Sequence, residues 1–284
     1  MRLPAPLSRN NPKAYKNQYG HVLVIAGSRN MLGAAALCGL SAMRAGAGLA
    51  TLAVPQSLNA ALQKKISPVL MTWPLKETSA GSFALSAYGQ LKNRLKEFDA
   101  ILIGPGLSQH PATQKFVLKV ITSARQPLVV DADALTALTG NLKLLTKTPT
   151  AKVLTPHPGE MSRLTGVRKE EIEKDRKNTA QRFARRYHCV LLLKGYRTVV
   201  AGPNGKNYIN KTGNAGMATA GSGDVLAGII TALLGQGLTA FAAAKYGAHL
   251  HGKAGDLAAR RKSKTGMIAT DIIDNIPNII KKDR

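Results

Sequence analysis

The run Asn214-Ala215-Gly216-Met217-Ala218-Thr219-Ala220-Gly221-Ser222-Gly223-Asp224 combines small side chains with a carboxylate at its end, directly before an apolar helical pattern. Such a loop suits an anion. Small residues let the backbone close on phosphate oxygens, while free N–H groups and the positive dipole end of the following helix face the charge. Gly221, Ser222 and Gly223 would form that hole. Asp224, at its mouth, could take the proton of a substrate hydroxyl while the hydroxyl attacks phosphorus. The same four residues also suit a plain turn and helix cap, so the chemistry needs partners elsewhere in the chain.

Candidate partners follow other short apolar runs. Thr155-Pro156-His157-Pro158-Gly159-Glu160 sets an imidazole between two prolines, which stiffen the loop and fix the direction in which the ring is presented. Glu160 suits either the organisation of metal-bound water or the capping of a helix that begins near Gly159. Asp131 and Asp133 follow Leu128–Val130, where carboxylates could hold Mg2+ through water, or could simply hydrogen-bond neighbouring loops. Lys194 ends another apolar run and is either a ligand contact or a snorkelling surface side chain. His249 and His251 are two apart on a helical pattern and face different directions, which argues against a metal pair. Cys38 and Cys189 lie inside apolar runs without ligand spacing and read as buried thiols of a reducing compartment.

The elements that must position these residues alternate along the chain. Val22–Ala26, Leu49–Val54, Ala100–Ile103, Leu128–Val130, Val153–Thr155 and Val190–Leu193 read as strands. Gly33–Ala45, Ser86–Phe98, Ala112–Ser123 and Ile172–Tyr187 carry helical apolar spacing. That alternation predicts a mainly parallel sheet covered on both faces, with ligands at the carboxyl ends of its strands. Beyond Lys194, Thr198–Ala201 and Asn207–Ile209 flank the turn sequence Pro203-Asn204-Gly205, which predicts an antiparallel hairpin at the sheet edge. Leu226–Leu234, Thr239–Ala259 and Asp271–Ile280 then read as helices, with Thr270 as N-cap of the last. No internal repeat or long linker divides the chain, so one α/β domain over residues 1–284 is expected.

Forty Lys and Arg against fifteen Asp and Glu leave a formal charge of +25, a field that attracts nucleotides and polyanions. The basic residues are scattered, with mild clusters at Lys169–Arg186 and Arg260–Lys264 and no interleaved aromatics. They read as a solvated basic face rather than a specific nucleic-acid site. Val225–Ala244 is free of charge over a length that could span a bilayer, but Gly235-Gln236-Gly237 interrupts it as a helix end and turn would, so two buried helices are expected. Met1–Gly20 is polar and lacks an apolar segment of signal length, which points to the cytoplasm.

The loop at 214–224 occurs with Thr155–Glu160, Lys194-Gly195 followed by Thr198, Gly20-His21 through Gly27-Ser28, Gly33-Ala34-Ala35 and Gly104-Pro105-Gly106-Leu107. In order and spacing, over nearly the whole chain, this set resembles the NAD(P)H-hydrate dehydratase family. The resemblance implies a ribokinase-like three-layer α/β/α sandwich. It also implies ADP- or ATP-dependent dehydration of the S epimer of hydrated NADH or NADPH, with Mg2+ as cofactor. On that pattern Asp224 is the catalytic carboxylate, and Gly221, Ser222 and Gly223 grip the transferring phosphate. Lys194, Gly195, Tyr196, Arg197 and Thr198, with Gly223, line the adenine nucleotide. Ala34, Gly106, His157 and Asp224 meet the hydrated dinucleotide.

Resemblance to bacterial and archaeal members favours ADP. The family's companion epimerase domain does not fit within 284 residues, so a separate epimerase is implied. A homo-oligomer, with a tetramer as the specific expectation, follows from the apolar, Ala-rich C-terminal helices. Two readings compete. A small-molecule kinase of the same fold would phosphorylate a hydroxymethyl or vitamin-precursor alcohol and release the ester. A nonenzymatic nucleic-acid binder would keep the loop as structure and be indifferent to Asp224→Ala.

Overall fold

The computed structural model describes residues 1–2, 4–9 and 11–282. Its first half alternates β1 (His21–Ile25), α1 (Leu32–Arg44), β2 (Leu49–Pro55), α2 (Asn59–Gln63), β3 (Met71–Leu75), α3 (Ala87–Leu91), β4 (Ala100–Ile103) and α4 (Pro111–Ser123). There follow β5 (Leu128–Val130), α5 (Asp133–Leu138), β6 (Lys152–Leu154), α6 (Pro158–Thr165), α7 (Lys169–Lys174), α8 (Arg176–Arg186) and β7 (Val190–Leu193). The chain ends with β8 (Val199–Ala201), β9 (Asn207–Ile209), α9 (Ser222–Gly235), α10 (Ala240–Lys262) and α11 (Ala269–Lys282). All nine strands join one sheet in the order β3-β2-β1-β4-β5-β6-β7-β8-β9. Pairing is parallel from β3 to β7, and β8 and β9 add antiparallel at the edge.

Because successive strand residues point to opposite faces, near-continuous apolar strands feed two cores. Val22, Val24, Leu102 and Leu192 face a layer built from α1, α9, α10 and α11. Leu23, Ile25, Ile103 and Leu191 face the layer of α3 to α8. Helix α9 is the centre of the first layer and buries most of its length. It seats directly on α1 through Gly228, where a Cβ would run into Ser41 Oγ and Cys38 O. The three-layer α/β/α arrangement expected from the sequence is present.

The uncharged stretch Val225–Ala244 is two helices, α9 and the start of α10, parted by a turn at Gly237 and restarted by Thr239, whose Oγ1 accepts from Ala242 N at 3.4 Å. Among the described residues no helix is long and apolar enough to cross a membrane. Both thiols are buried, and burial pushes Cys189 up to about 12, leaving it unreactive. The alanines of α10 are spent on packing against α9 and α11.

Several expectations need correction. β3 has no counterpart among the expected strands, because Thr72-Trp73-Pro74 breaks both an apolar run and an alternation; its edge position is where a proline can be accommodated. Ser86–Phe98 is not one helix: only Ala87–Leu91 is α-helical. Arg94 instead pairs with Glu97 at 2.9 Å and lies over the Trp73 ring at 4.3 Å. Ile172–Tyr187 is likewise broken, at Asp175, whose φ of −137° and ψ of 58° leave helical space. Its carboxylate then caps α8 by accepting from Asn178 N at 3.3 Å. Thr270 does not cap α11, which already includes Ala269; Ile268 precedes the helix and its N–H donates to Asp271 Oδ2 at 2.9 Å. Strand β6 is Lys152–Leu154 rather than Val153–Thr155, which frees Thr155 for the site.

Candidate active site

The loops after β1, β4, β5, β6 and β7 and the start of α9 meet at the carboxyl end of the parallel strands, the expected ligand end of such a sheet. Lys194 stands at the centre. Its Nζ donates to Asp131 Oδ1 at 2.8 Å and lies 3.7 Å from Glu160 Oε2. The side chain keeps only 19% of its surface exposed, so it is not a snorkelling surface lysine. Burial by itself would lower its pKa, but the charges of Asp131 and Glu160 outweigh burial and hold the ammonium above the ordinary lysine value. Asp131, buried after β5, also accepts from Thr155 Oγ1 at 2.7 Å.

Both Asp131 and Asp133 make the hydrogen bonds to neighbouring loops expected of one reading: Asp131 serves Thr155 and Lys194, and Asp133 Oδ2 accepts from Ser108 N at 2.9 Å. Between them Ala132 takes φ 50° and ψ −120°, a strained conformation for a residue with a Cβ, which turns the two carboxylates apart.

His157 and Glu160 open α6 as a reciprocal cap. His157 Nδ1 accepts from Gly159 N at 3.0 Å and Glu160 N at 3.2 Å, while His157 N donates to Glu160 Oε2 at 2.8 Å. Accepting at Nδ1 places the ring proton on Nε2, which lies 3.6 Å from Glu160 Oε1. Burial, then the Lys194 charge, lowers the His157 pKa against the opposing pull of Glu160. A neutral imidazole results at pH 7.

At the start of α9, Gly221 adopts a left-handed φ of +81°, which turns the loop into the helix. Ser222 N is turned inward, donating to Thr219 O at 3.3 Å, so it does not point freely at a ligand as expected. Among the described residues the amides of Gly221, Gly223 and Asp224 meet no acceptor, and these are the donors available to an anion. Lys194 Nζ is 3.4 Å from where a Cβ of Gly223 would stand. The ammonium therefore lies beside the start of α9. Asp224 is pushed up to about 6 by burial and by the Asp131 charge, with Lys194 opposing. It makes no hydrogen bond among the described residues, so its carboxylate is available as a base near neutral pH.

Ala34 and Gly106 also come together: a Cβ on Gly106 would lie 3.1 Å from that of Ala34, and Gly27 N donates to Pro105 O at 2.9 Å to couple the two loops. Gly195, Tyr196, Arg197 and Thr198 follow Lys194 along the rim. Tyr196 is 85% exposed, with the Arg197 guanidinium 5.6 Å from its ring. Beside this rim a cleft of about 610 Å³ opens between His157, Lys169, Arg176 and Tyr196. Ser222 Oγ rests 3.3 Å from His251 Nε2 on α10, a contact sequence reasoning missed because the two lie 29 residues apart. His249 and His251 are both buried, and no cluster of three metal-ligating side chains exists among the described residues. The Lys169–Arg186 segment presents Lys177, Arg182, Arg185 and Arg186 to solvent from α8.

Residues 22–278 match the family model described as NAD(P)H-hydrate dehydratase. The chain is 48% identical over 97% of its length to the bifunctional NAD(P)H-hydrate repair enzyme of Moorella thermoacetica, of which it spans about half (52%). It is 34% identical to the ADP-dependent (S)-NAD(P)H-hydrate dehydratase of Xanthomonas campestris pv. campestris, over 95% of this chain and 91% of that one. Among solved structures, the ADP/ATP-dependent NAD(P)H-hydrate dehydratase of Bacillus subtilis, co-crystallised with ATP/Mg2+, superposes with a TM-score of 0.81 at 32% identity, covering 98% and 95% of the two chains. Ribokinase of Thermotoga maritima shares the fold alone, with a TM-score of 0.54 at 14% identity over 90% and 99%. With the model match running through nearly every element that forms the site, the chain belongs to the NAD(P)H-hydrate dehydratase family.

Proposed function

We propose that this chain acts as one catalytic unit that dehydrates the S epimer of NADH or NADPH hydrate, using ADP or ATP as phosphoryl donor. The observation that carries the reading is the closeness of open amides at Gly221, Gly223 and Asp224, an unpartnered Asp224 carboxylate and the Lys194 ammonium at the start of α9. Asp224 takes the proton of the ring hydroxyl as its oxygen attacks the terminal phosphorus, and the P–O bond to the nucleotide breaks. The amides and Lys194 meet the charge that grows on the migrating phosphoryl group. The ring nitrogen lone pair then expels phosphate from carbon, and loss of a neighbouring ring proton restores the dihydropyridine. Atoms balance as reduced dinucleotide, phosphate and a nucleotide shortened by one phosphate.

Lys194 to Thr198, with Gly223, are assigned to the adenine nucleotide. Ala34, Gly106, His157 and Asp224 are assigned to the hydrated dinucleotide, with His157 offering its Nε2 proton. Support for ADP comes from the Xanthomonas relative's name, and the Bacillus relative uses either nucleotide. Mg2+ fits here only through water. Asp131 and Glu160 are already committed to Lys194 and the α6 cap, so Asp224 would hold a nucleotide-bound ion by way of its hydration shell. When bound, the ion would shield phosphate charge. An epimerase is the proposed functional companion, the cytoplasm the proposed compartment, and a homotetramer the proposed assembly, to be tested by light scattering.

The test is direct: incubation with NADH hydrate and ADP, or ATP, restores the near-ultraviolet absorbance of reduced nicotinamide. No recovery with either nucleotide rejects the dehydratase. Release of a stable phosphate ester would instead favour a kinase.

A further inference from the structure

We infer that Arg176 is a positioning residue that holds Lys194 to Thr198 in place for the adenine nucleotide, an inference resting on the assignment of that segment proposed above. β7 and β8 pair up to Leu193 opposite Val199, so the chain must reverse within the segment, through Gly195 at φ +132°. At that reversal Arg176 Nη2 donates to both Leu193 O at 2.8 Å and Lys194 O at 2.9 Å. The guanidinium lies tight against the turn, since a Cβ on Gly195 would come within 2.6 Å of Nη1. Lys194 is therefore fixed twice: its side chain by Asp131 and its carbonyl by Arg176.

The break between α7 and α8 serves this contact. Asp175 leaves helical space and caps α8, so Arg176 becomes the first residue of that helix. There its side chain reaches across to the end of β7, 17 and 18 residues on. A second feature marks the placement as demanding. Arg176 Nε is buried with no acceptor, a cost that the fold carries while Nη2 alone bridges two carbonyls. Arg176 also lines the cleft beside Gly195 and Tyr196, so the brace borders the space a nucleotide would enter. Lysine could supply the charge but not the rigid fork.

The experiment compares wild type with Arg176→Lys and Arg176→Met, measuring ADP affinity by titration calorimetry, KM for ADP and for NADH hydrate separately, and amide exchange at residues 195–198. ADP binding should weaken about tenfold in Arg176→Met and less in Arg176→Lys, with KM for the hydrate nearly unchanged. Exchange at 195–198 should quicken in both. A role confined to stability would lower the melting temperature and leave ADP affinity and this exchange at their wild-type values, which overturns the inference. If Arg176→Met does not fold, unchanged exchange and ADP affinity in Arg176→Lys overturn it equally. A wild-type chain that binds no adenine nucleotide overturns the assignment of the segment together with this inference, whereas wild-type binding with unaltered variants overturns the inference alone.

Discussion

Two lysines are drawn into this fold at opposite ends of the sheet, and their partners differ in charge. Lys152 opens β6 at the amino end and is 2% exposed. Its Nζ donates to Thr148 O, Thr148 Oγ1 and Thr150 O at 3.0, 2.7 and 3.0 Å. These acceptors are neutral, so burial lowers its pKa. Lys194, at the carboxyl end, faces Asp131 and Glu160, which raise its pKa in spite of burial. Neutral acceptors satisfy an ammonium's geometry without repaying its lost hydration; carboxylates hold it charged. The first arrangement ties a loop to a strand. The second keeps a cation beside open amides, where the proposed mechanism uses it.

The comparison breaks most visibly at the carboxyl end. Asp224→Asn should lower turnover about a thousandfold or more with the fold retained. The same change should stabilise the protein at pH 8. A carboxyl raised to about 6 in the folded state sits above its unfolded value, so its contribution is fully present below the unfolded value and is lost as pH rises toward and through 6. After allowance for its partial exposure the gain should be about 1–2 kcal/mol, read from urea melts at pH 5 and 8. Wild-type activity should show an acid limb near the same pH, before nucleotide binding shifts it. Unchanged turnover in the variant would remove the base from the mechanism.

Lys194→Met should cost about 2–4 kcal/mol and about a hundredfold in kcat/KM, because it strands two carboxylates and removes phosphate stabilisation. Lys152→Met should cost no more than about 1–2 kcal/mol and leave turnover intact, because a methionine keeps the volume and escapes the burial of an amine. Their alkaline behaviour should diverge. A raised folded pKa gives stability that is lost as pH climbs through it, so the cost of Lys194→Met should shrink toward pH 11. A lowered folded pKa penalises the charged form, and that penalty lifts as pH rises through it toward the ordinary lysine value, so the cost of Lys152→Met should grow with pH below that value. Parallel trends in the two sets of melts would refute the distinction.

The smallest effect sharpens the site end itself. Ala132→Gly relieves a backbone conformation that a Cβ disfavours, against a more flexible unfolded chain, and should raise stability by about 0.5 kcal/mol with activity retained. Lost activity there would mean that the strain holds Asp131 and Asp133 in register.

Much of this architecture is legible in the chain because its signals are local. Apolar runs such as Leu128–Val130 and Val190–Leu193 declare buried parallel strands, and the spacing of His157 and Glu160 is that of a reciprocal helix cap. Gly221 to Asp224 likewise announces a helix start. What escapes notice depends on distant partners. Lys194 and Asp131 lie 63 residues apart, and nothing near either shows that they meet. The break at Asp175 interrupts an unbroken apolar spacing in order to aim Arg176, and the edge strand Met71–Leu75 owes its existence to a neighbour rather than to its own composition. Ser222 N illustrates a finer limit: residue type identifies an amide-rich loop, but only geometry tells which amide has turned inward.

Helix α9 has no room to recoil, since Gly228 lets its backbone rest directly on α1 and any added methyl would collide. The end of α9 that the proposed mechanism assigns to phosphate is thus a fixed anvil, faced across the site by the rim where Tyr196 stands in solvent. A single methyl group at position 228, about one helical turn beyond Asp224, would therefore disable the proposed activity by tilting the anvil rather than by touching the work.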